Sequence, residues 1–350
     1  MGKGPTVTVK TYGRYNLRSG RKIDKIGKTR LYTRMSRLHG MRLRPLRRVL
    51  PVLPPIQSIG IMDIGQGNCN LLFDQTNTPV TYYDFGYPNH FNYRSAPLSL
   101  KFGDPAFLGP ILPSAANGIN IVLSHWDFDH YGLGYIYGLD NIPWTVPDDG
   151  VGPWTRDFCA RLEANNMLTR VTTPVHYAIN YTIFRCVPTP GTAPIALRNN
   201  RGIAMRIATN LPSTDATIHR VLLTADANFD TVPPAARQNL TGILAAHHGS
   251  GLHGAPDHLP VQANNYNNQG RVAFSYGIKN GVYCYGHPRP DAVQKYIDAG
   301  WNRQCSTAEG VNVRTDPTQA NRGNIRMGIN TPLGPGFQNT AFTNFPNQLD

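Results

Sequence analysis

The chain has 350 residues, 40% of them hydrophobic, enough to fill the core of one large domain or two modest ones. No apolar run approaches the ~20 residues that cross a bilayer, and no segment near Met1 has the apolar centre of a secretory signal. The net charge of +13 is unevenly spread: residues 1–50 carry fifteen Lys and Arg against the single acid Asp24, so residues 51–350 carry nineteen basic and twenty acidic residues and sum to −1.

The basic arm, 1–50, is too polar to bury much surface, and its first part is expected to be disordered. Arg14, Arg18, Arg21, Lys22, Lys25, Lys28, Arg30, Arg34 and Arg37 make it a receptor for nucleic acid or another polyanion, through phosphate neutralisation and counterion release. Within 28–39, Leu31, Met35 and Leu38 recur at helical spacing and predict a short amphipathic helix, stopped by Gly40 and Pro45. The prolines of 51–55 read as a stiff linker, since each fixes its own φ and restricts its predecessor. A folded domain follows over 56–330, with a polar tail over 331–350.

In that domain short apolar or alternating runs predict strands at 59–64, 70–73, 80–83, 119–123, 203–207, 221–224, 243–246 and 271–276. Helices are predicted at 157–167, 235–240 and 289–299, the last stopped by Gly300. Residues 140–200, rich in proline and turn formers, read as an insertion near the site. Strands with helices between them predict sheets covered by helices. The five cysteines, Cys69, Cys159, Cys186, Cys284 and Cys305, are odd in number and include no Cys-x-x-Cys pair. Neither a disulfide framework nor a zinc–thiolate site is expected, and a reducing intracellular compartment, cytoplasmic or, in a eukaryote, nuclear or membrane-peripheral, fits. A membrane-peripheral placement would use Met1-Gly2-Lys3-Gly4-Pro5-Thr6, which matches a loose N-myristoylation pattern interrupted by Pro5.

The densest chemistry lies in Ser124-His125-Trp126-Asp127-Phe128-Asp129-His130, where two imidazoles and two carboxylates follow a buried strand. A second apolar run ends at Asp226, and a third at His247 and His248. Three strand ends that each deliver a ligand make a site for two metal ions. Isolated histidines, namely His176, His219, His253 and His258, read instead as hydrogen-bonded structural residues. The glycines of 64–68 lack the Gly-Lys-Ser/Thr of a phosphate loop and read as a tight turn between strands.

These blocks resemble, in order, the motifs of the metallo-β-lactamase superfamily in the variant found in the hydrolase domain of the competence protein ComEC. Met62-Asp63-Ile64-Gly65-Gln66-Gly67-Asn68 is similar to its opening Asp-Val-Gly-Gln-Gly, and Tyr83-Asp84-Phe85-Gly86 to the motif of its first Asp. His125 to His130, followed by Tyr131-Gly132-Leu133-Gly134, resembles the second motif. Leu223-Thr224-Ala225-Asp226, His247-His248-Gly249-Ser250 and Tyr285-Gly286-His287-Pro288 resemble the later ones. The resemblance implies a four-layer αββα sandwich of mixed α/β class, with metals at one edge of the sheets.

It further implies that His125 and Asp127 bind one ion, Asp129 and His130 the other, with Asp226 bridging and one of His247 and His248 completing the second site. Asp84 would orient a ligand histidine, Asp129 would serve in catalysis, and His287 would protonate a leaving group or hold a phosphate oxygen. Two such ions lower the pKa of a shared water, so that hydroxide attacks without a protein nucleophile. Asp127 stands where many members have histidine, which leaves the ions open among zinc, manganese and magnesium and favours the harder two. No histidine matches the third motif, whose place is taken by Asn199-Asn200-Arg201-Gly202. The expected function is therefore a two-metal phosphodiesterase or nuclease acting on nucleic acid. The alternatives are hydrolysis of a small phosphodiester such as a phosphorylcholine ester, and a catalytically weakened scaffold that binds nucleic acid or an anionic membrane. The sequence fixes no oligomeric state.

Overall fold

The computed structural model describes residues 55–88, 95–101, 103–113, 118–148, 155–178, 181–188, 194–208, 219–251, 259–260, 270–277, 286–309, 322–329 and 347–349, with 152, 192 and 262. The arm, all of the linker but Pro55, His253, His258, Cys284 and Tyr285 lie outside them.

The first sheet opens with an antiparallel meander of β1 (Ile56–Ile61), β2 (Cys69–Asp74) and β3 (Pro79–Phe85). It continues in parallel through β4 (Asn120–Val122), β5 (Trp144–Pro147) and β6 (Leu168–Val171). On its other side β14 (Ile325–Gly328) pairs antiparallel with β1, and β15 (Asn347–Leu349) pairs parallel with β14. The second sheet joins antiparallel β7 (Val175–Tyr177), β8 (Tyr181–Arg185), β9 (Ile203–Ala208) and β10 (Arg220–Leu223). The parallel strands β11 (Gly242–Leu244), β12 (Arg271–Phe274) and β13 (Arg303–Ser306) complete it.

Side chains alternate across a strand, so each buried strand feeds two cores. In β2 Leu72 joins the core between the sheets while Leu71 and Phe73 face outward; Tyr83 and Tyr82 divide the same way, as do Val122 and Ile121. From the second sheet Val221 and Leu223 enter that shared core and Leu222 faces outward. The outer face of the first sheet packs against Leu100 of α1 (Leu98–Lys101), Leu108 of α2 (Pro105–Ile111), Leu133 of α3 (Phe128–Ile136) and Phe158 of α4 (Arg156–Ala164). The outer face of the second packs against Val293 and Tyr296 of α6 (Pro290–Asp298), while α5 (Pro194–Asn200) leads into β9. Three cores separate four layers, the αββα order that the resemblance implies.

Several expectations change. Residues 140–200 are no insertion: β5, α4 and β6 complete the first sheet and β7 and β8 begin the second. The edge strands β6 and β7 are half-exposed and three or four residues long, too short and too polar for an apolar alternation to be read. The helix predicted at 235–240 is only a 3-10 turn, Pro234–Ala236, hemmed in by Pro233 and by Asn239 in the left-handed region. Helix α3 escapes prediction because Gly132 and Gly134 depress its propensity. A Cβ at Gly134 would lie 2.4 Å from the Trp144 ring, so the glycine lets α3 settle on β5. The stretch 331–350, expected as a polar tail, supplies β15.

The turn after β1 supports the second motif from below. Arg322 Nη2 donates to Asp63 Oδ1 at 2.8 Å and to Ser95 O at 2.6 Å, while Gln66 N donates to Ser95 Oγ at 2.8 Å. Asn68 N then donates to Asp129 O at 2.9 Å. Gly86 closes the cradle, because a Cβ there would sit 1.7 Å from Asp129 O. Gly86→Ala must therefore displace backbone rather than a side chain, and is expected to cost about 1–3 kcal/mol of stability. Urea unfolding checks this; an unchanged midpoint would contradict the close approach.

Candidate metal centre

The centre forms where strand ends meet. Asp84 closes β3, residues 124–130 follow β4, Asp226 follows β10, and His247 and His248 follow β11. Because β3 and β4 are parallel, as are β10 and β11, their C-terminal ends open on one edge. Four non-glycine residues there adopt positive φ: Asp84 (63°), Ala225 (50°), His247 (46°) and His248 (60°). The other three such residues among those described, Asn77, Asn166 and Asn239, are asparagines, which tolerate that region. Each strained residue costs on the order of 1–3 kcal/mol and persists only where its surroundings fix it.

Hydrogen bonds aim the imidazoles. His130 Nδ1 donates to Asp84 Oδ2 at 2.8 Å, and His248 Nδ1 donates to Ser275 O at 2.6 Å. Ser124 Oγ donates to Asp84 Oδ2 at 2.9 Å and lies 3.0 Å from His125 Nδ1, from which it can accept. Ser124 N also donates to Asp84 Oδ1 at 2.7 Å. With Nδ1 so engaged, each ring turns Nε2 inward.

Those inward atoms surround Asp226. Its Oδ1 lies 3.3 Å from His130 Nε2 and 3.7 Å from His248 Nε2, and its Oδ2 lies 3.5 Å from His247 Nε2 and 4.0 Å from His125 Nε2. The Nε2 atoms of His125, His130 and His248, with Asp226 Oδ1, are buried and make no hydrogen bond. Buried polar atoms are normally satisfied. So many converging on one point fit a bound cation. Two sets could hold one: His125, His130 and Asp226, and Asp129, His130 and His248, in each of which the ligand atoms lie within 4.8 Å of one another. The donors are nitrogen and carboxylate oxygen, which suit divalent first-row metals.

The electrostatics agree. Burial would raise the Asp226 carboxyl, but His247, His130 and His248 outweigh it and hold that group well below the usual carboxylate range. Burial would lower His130, yet Asp226 and Asp84 hold it well above the usual imidazole value, so a proton occupies Nε2 without metal. His248 is lowered by burial to about 4 and is a neutral imidazole at pH 7. Burial raises the Asp129 carboxyl, with His130 opposing and Asp226 and Asp127 adding to the rise.

Other predicted residues fall around this nucleus. Asp127 sits at the N-cap of α3 without capping it, and Oδ2 lies 3.5 Å from His125 Nε2. Its Oδ1 pairs with Arg198 Nη1 of α5, a partner that sequence reading missed although it adjoins the Asn199–Arg201 turn singled out there. Ser124 and Ser275 were missed as well, since a serine at a strand end carries no signal of its own. His287 is buried, its ring 5.5 Å from that of His247. His176 lies on β7, three strands from β10, and does not join the centre.

No protein-family model and no curated protein matches the chain. Among solved structures, one described as a possible metal-dependent hydrolase from Veillonella parvula DSM 2008 is 12% identical, with a TM-score of 0.39 over 73% of this chain and 97% of that one. An isothiocyanate hydrolase from Delia radicum gut bacteria is 10% identical, with a TM-score of 0.34 and the same coverage. Likeness of that degree carries no argument about chemistry, which rests on the side chains above.

Two outcomes are expected. Because His130 is protonated near neutrality, metal must displace that proton, so affinity should rise with pH by about tenfold per unit up to the His130 pKa. His248 competes only at acid pH. Calorimetry in buffers of different ionisation enthalpy should count about one proton released per first ion at pH 7; none released would refute the protonation state. Asp84→Asn removes the carboxylate that aims His130 and should weaken metal affinity by about 10–100-fold, measured by chelator competition.

Proposed function

We propose that this chain is a metal-dependent hydrolase of the metallo-β-lactamase type that cleaves phosphodiesters in nucleic acid. The observation that carries the hydrolase reading is the convergence of the Nε2 atoms of His125, His130, His247 and His248 on the buried Asp226 carboxylate. Asp129, His130, His248 and Asp226 Oδ1 would hold one divalent ion, and His125, Asp127, His247 and Asp226 Oδ2 a second. Both histidines of the pair are thereby used, and His247 takes the role left vacant by the missing third-motif histidine. When bound, such ions supply Lewis acidity, lowering the pKa of water and neutralising charge on the oxygens of an electrophile. Asp127 and Asp129 contribute hard oxygen donors, which favour manganese or magnesium over zinc.

The chain's own groups do the rest. Asp84 and Ser124 keep the imidazoles fixed, so little reorganisation is needed when substrate arrives. His287, beside His247, would give a proton to a departing alkoxide or hold a phosphate oxygen. Phosphodiester chemistry is supported by the arm, whose +14 balance adjoins a near-neutral domain and calls for a polyanionic partner.

Metal analysis of the purified protein, with cleavage assays on DNA, RNA and bis(4-nitrophenyl) phosphate in manganese, magnesium and zinc, tests this directly. Manganese-stimulated cleavage is expected; full activity with two equivalents of tightly bound zinc alone would overturn the metal preference. Asp226→Ala should lower turnover by several orders of magnitude in a folded protein. Deleting residues 1–50 should remove a salt dependence of DNA binding with a log–log slope of about −5, the value for about six neutralised phosphates. Cleavage of the small diester should survive that deletion.

A further inference from the structure

The centre has a closed side and an open side. His125, Asp129, His130, His248 and Asp226 are buried, whereas the side chains of Asp127 and His247 are 25% and 23% exposed. Arg198, 56% exposed, stands on that open side with Nη1 against Asp127 Oδ1. Among the described residues no other lysine or arginine pairs with a carboxylate of the centre.

Its backbone is well anchored. At the end of α5 Asn200 Oδ1 accepts from Asn228 N at 2.9 Å, Arg201 N donates to Leu197 O at 2.9 Å, and Ile203 N donates to Ser124 O at 2.9 Å. A Cβ at Gly202 would lie 2.6 Å from Ser124 O, so this turn is pressed onto the loop that carries His125. The helix is thus registered against the centre while its guanidinium faces solvent.

We propose that Arg198 is the oxyanion contact of the substrate, a guanidinium that leaves Asp127 for a phosphate oxygen as substrate enters by the open side. Arg198 is more than half exposed, so its own release from the pair costs little, whereas Asp127 Oδ1 is shielded from water and needs another positive charge in its place. A guanidinium offers a planar fork of donors that matches two phosphate oxygens, which an ammonium does not. A metal ion on Asp127 would favour the exchange further, because it takes over the charge that Arg198 now neutralises. The substrate class follows: a tetrahedral oxyanion ester, bound with its scissile group at the ions and a non-bridging oxygen on Arg198. This rests on the phosphodiesterase reading above.

The test uses the full-length, manganese-loaded protein with inorganic phosphate as probe. Paramagnetic relaxation of the phosphate ³¹P signal reports only phosphate close to the ions, so binding to the arm does not register. Arg198→Ala should weaken this binding by about tenfold or more, and Arg198→Lys by less, since the ammonium keeps the charge and one hydrogen bond but not the paired contact of the fork. KM for bis(4-nitrophenyl) phosphate should rise with little change in kcat. Equal phosphate affinity in Arg198→Ala and the parent would overturn the proposal, as would a variant whose manganese affinity rises while phosphate binding is unchanged, which makes Arg198 only a counter-ion to Asp127. A parent protein that draws no phosphate to the manganese overturns it as well. Loss of phosphate binding in Arg198→Ala without any diester cleavage by the parent would sustain the oxyanion contact and refute the phosphodiesterase reading.

Discussion

The burial of the Asp226 carboxylate among four imidazoles is the constraint around which the fold is arranged. A lone carboxylate this deep would give up its charge, because desolvation disfavours the ionised form. The imidazoles reverse that outcome, and Asp226 and Asp84 in turn hold His130 well above the usual imidazole value. Asp84 imposes the same demand from beneath. It is fully buried, and its two oxygens take up Ser124 and His130. Two buried carboxylates and a ring of nitrogen donors are costly unless a cation joins them, which makes the site a receptor for metal as well as a structural risk without it.

The scaffold meets that cost by rigidity. The sandwich brings the ends of β3, β4, β10 and β11 to one edge, and four residues there hold backbone conformations that free chains avoid. Contacts from all sides keep them in place. The turn over 63–68 seats the backbone of Asp129, Ser275 ties to Gly67 O at 2.8 Å while its own carbonyl takes His248, and the end of α5 presses on Ser124. Arg322, from near the end of the described chain, locks Asp63 beneath the site. Strain stored at the functional edge is thus offset by packing that the three cores provide.

Exposure then divides labour across the centre. The side formed by Asp129, His130 and His248 is closed to water, whereas Asp127, His247 and Arg198 meet solvent. Low dielectric strengthens interactions on the closed side and screening weakens them on the open one. The positive charge of the sequence is concentrated in residues 1–50, and residues 51–350 are near neutral.

Much of the ligand set was legible in the sequence because it is local. His125, Asp127, Asp129 and His130 fall within six residues after an apolar run, and Asp226 and His247–His248 each close another, so strand patterning alone delivers them to strand ends. Strand patterning predicts sheets covered by helices, and the resemblance implies the four layers; in the structure Leu71 and Leu72, and Leu222 and Leu223, face opposite cores. What only the tertiary structure decided lies between segments far apart in the chain. Ser275 is 27 residues from His248, Asp84 is 46 from His130, and Arg322 is 259 from Asp63. The half-exposed strands β6 and β7 belong to the same class, for their pairing, not their composition, makes them strands. So does the orientation of His247 and His248 toward different oxygens of Asp226, and so does the pairing of Arg198 with Asp127. Sequence pattern records which face of an element is apolar; it does not record which polar atoms meet across a site, because that depends on the relative placement of elements that packing alone sets.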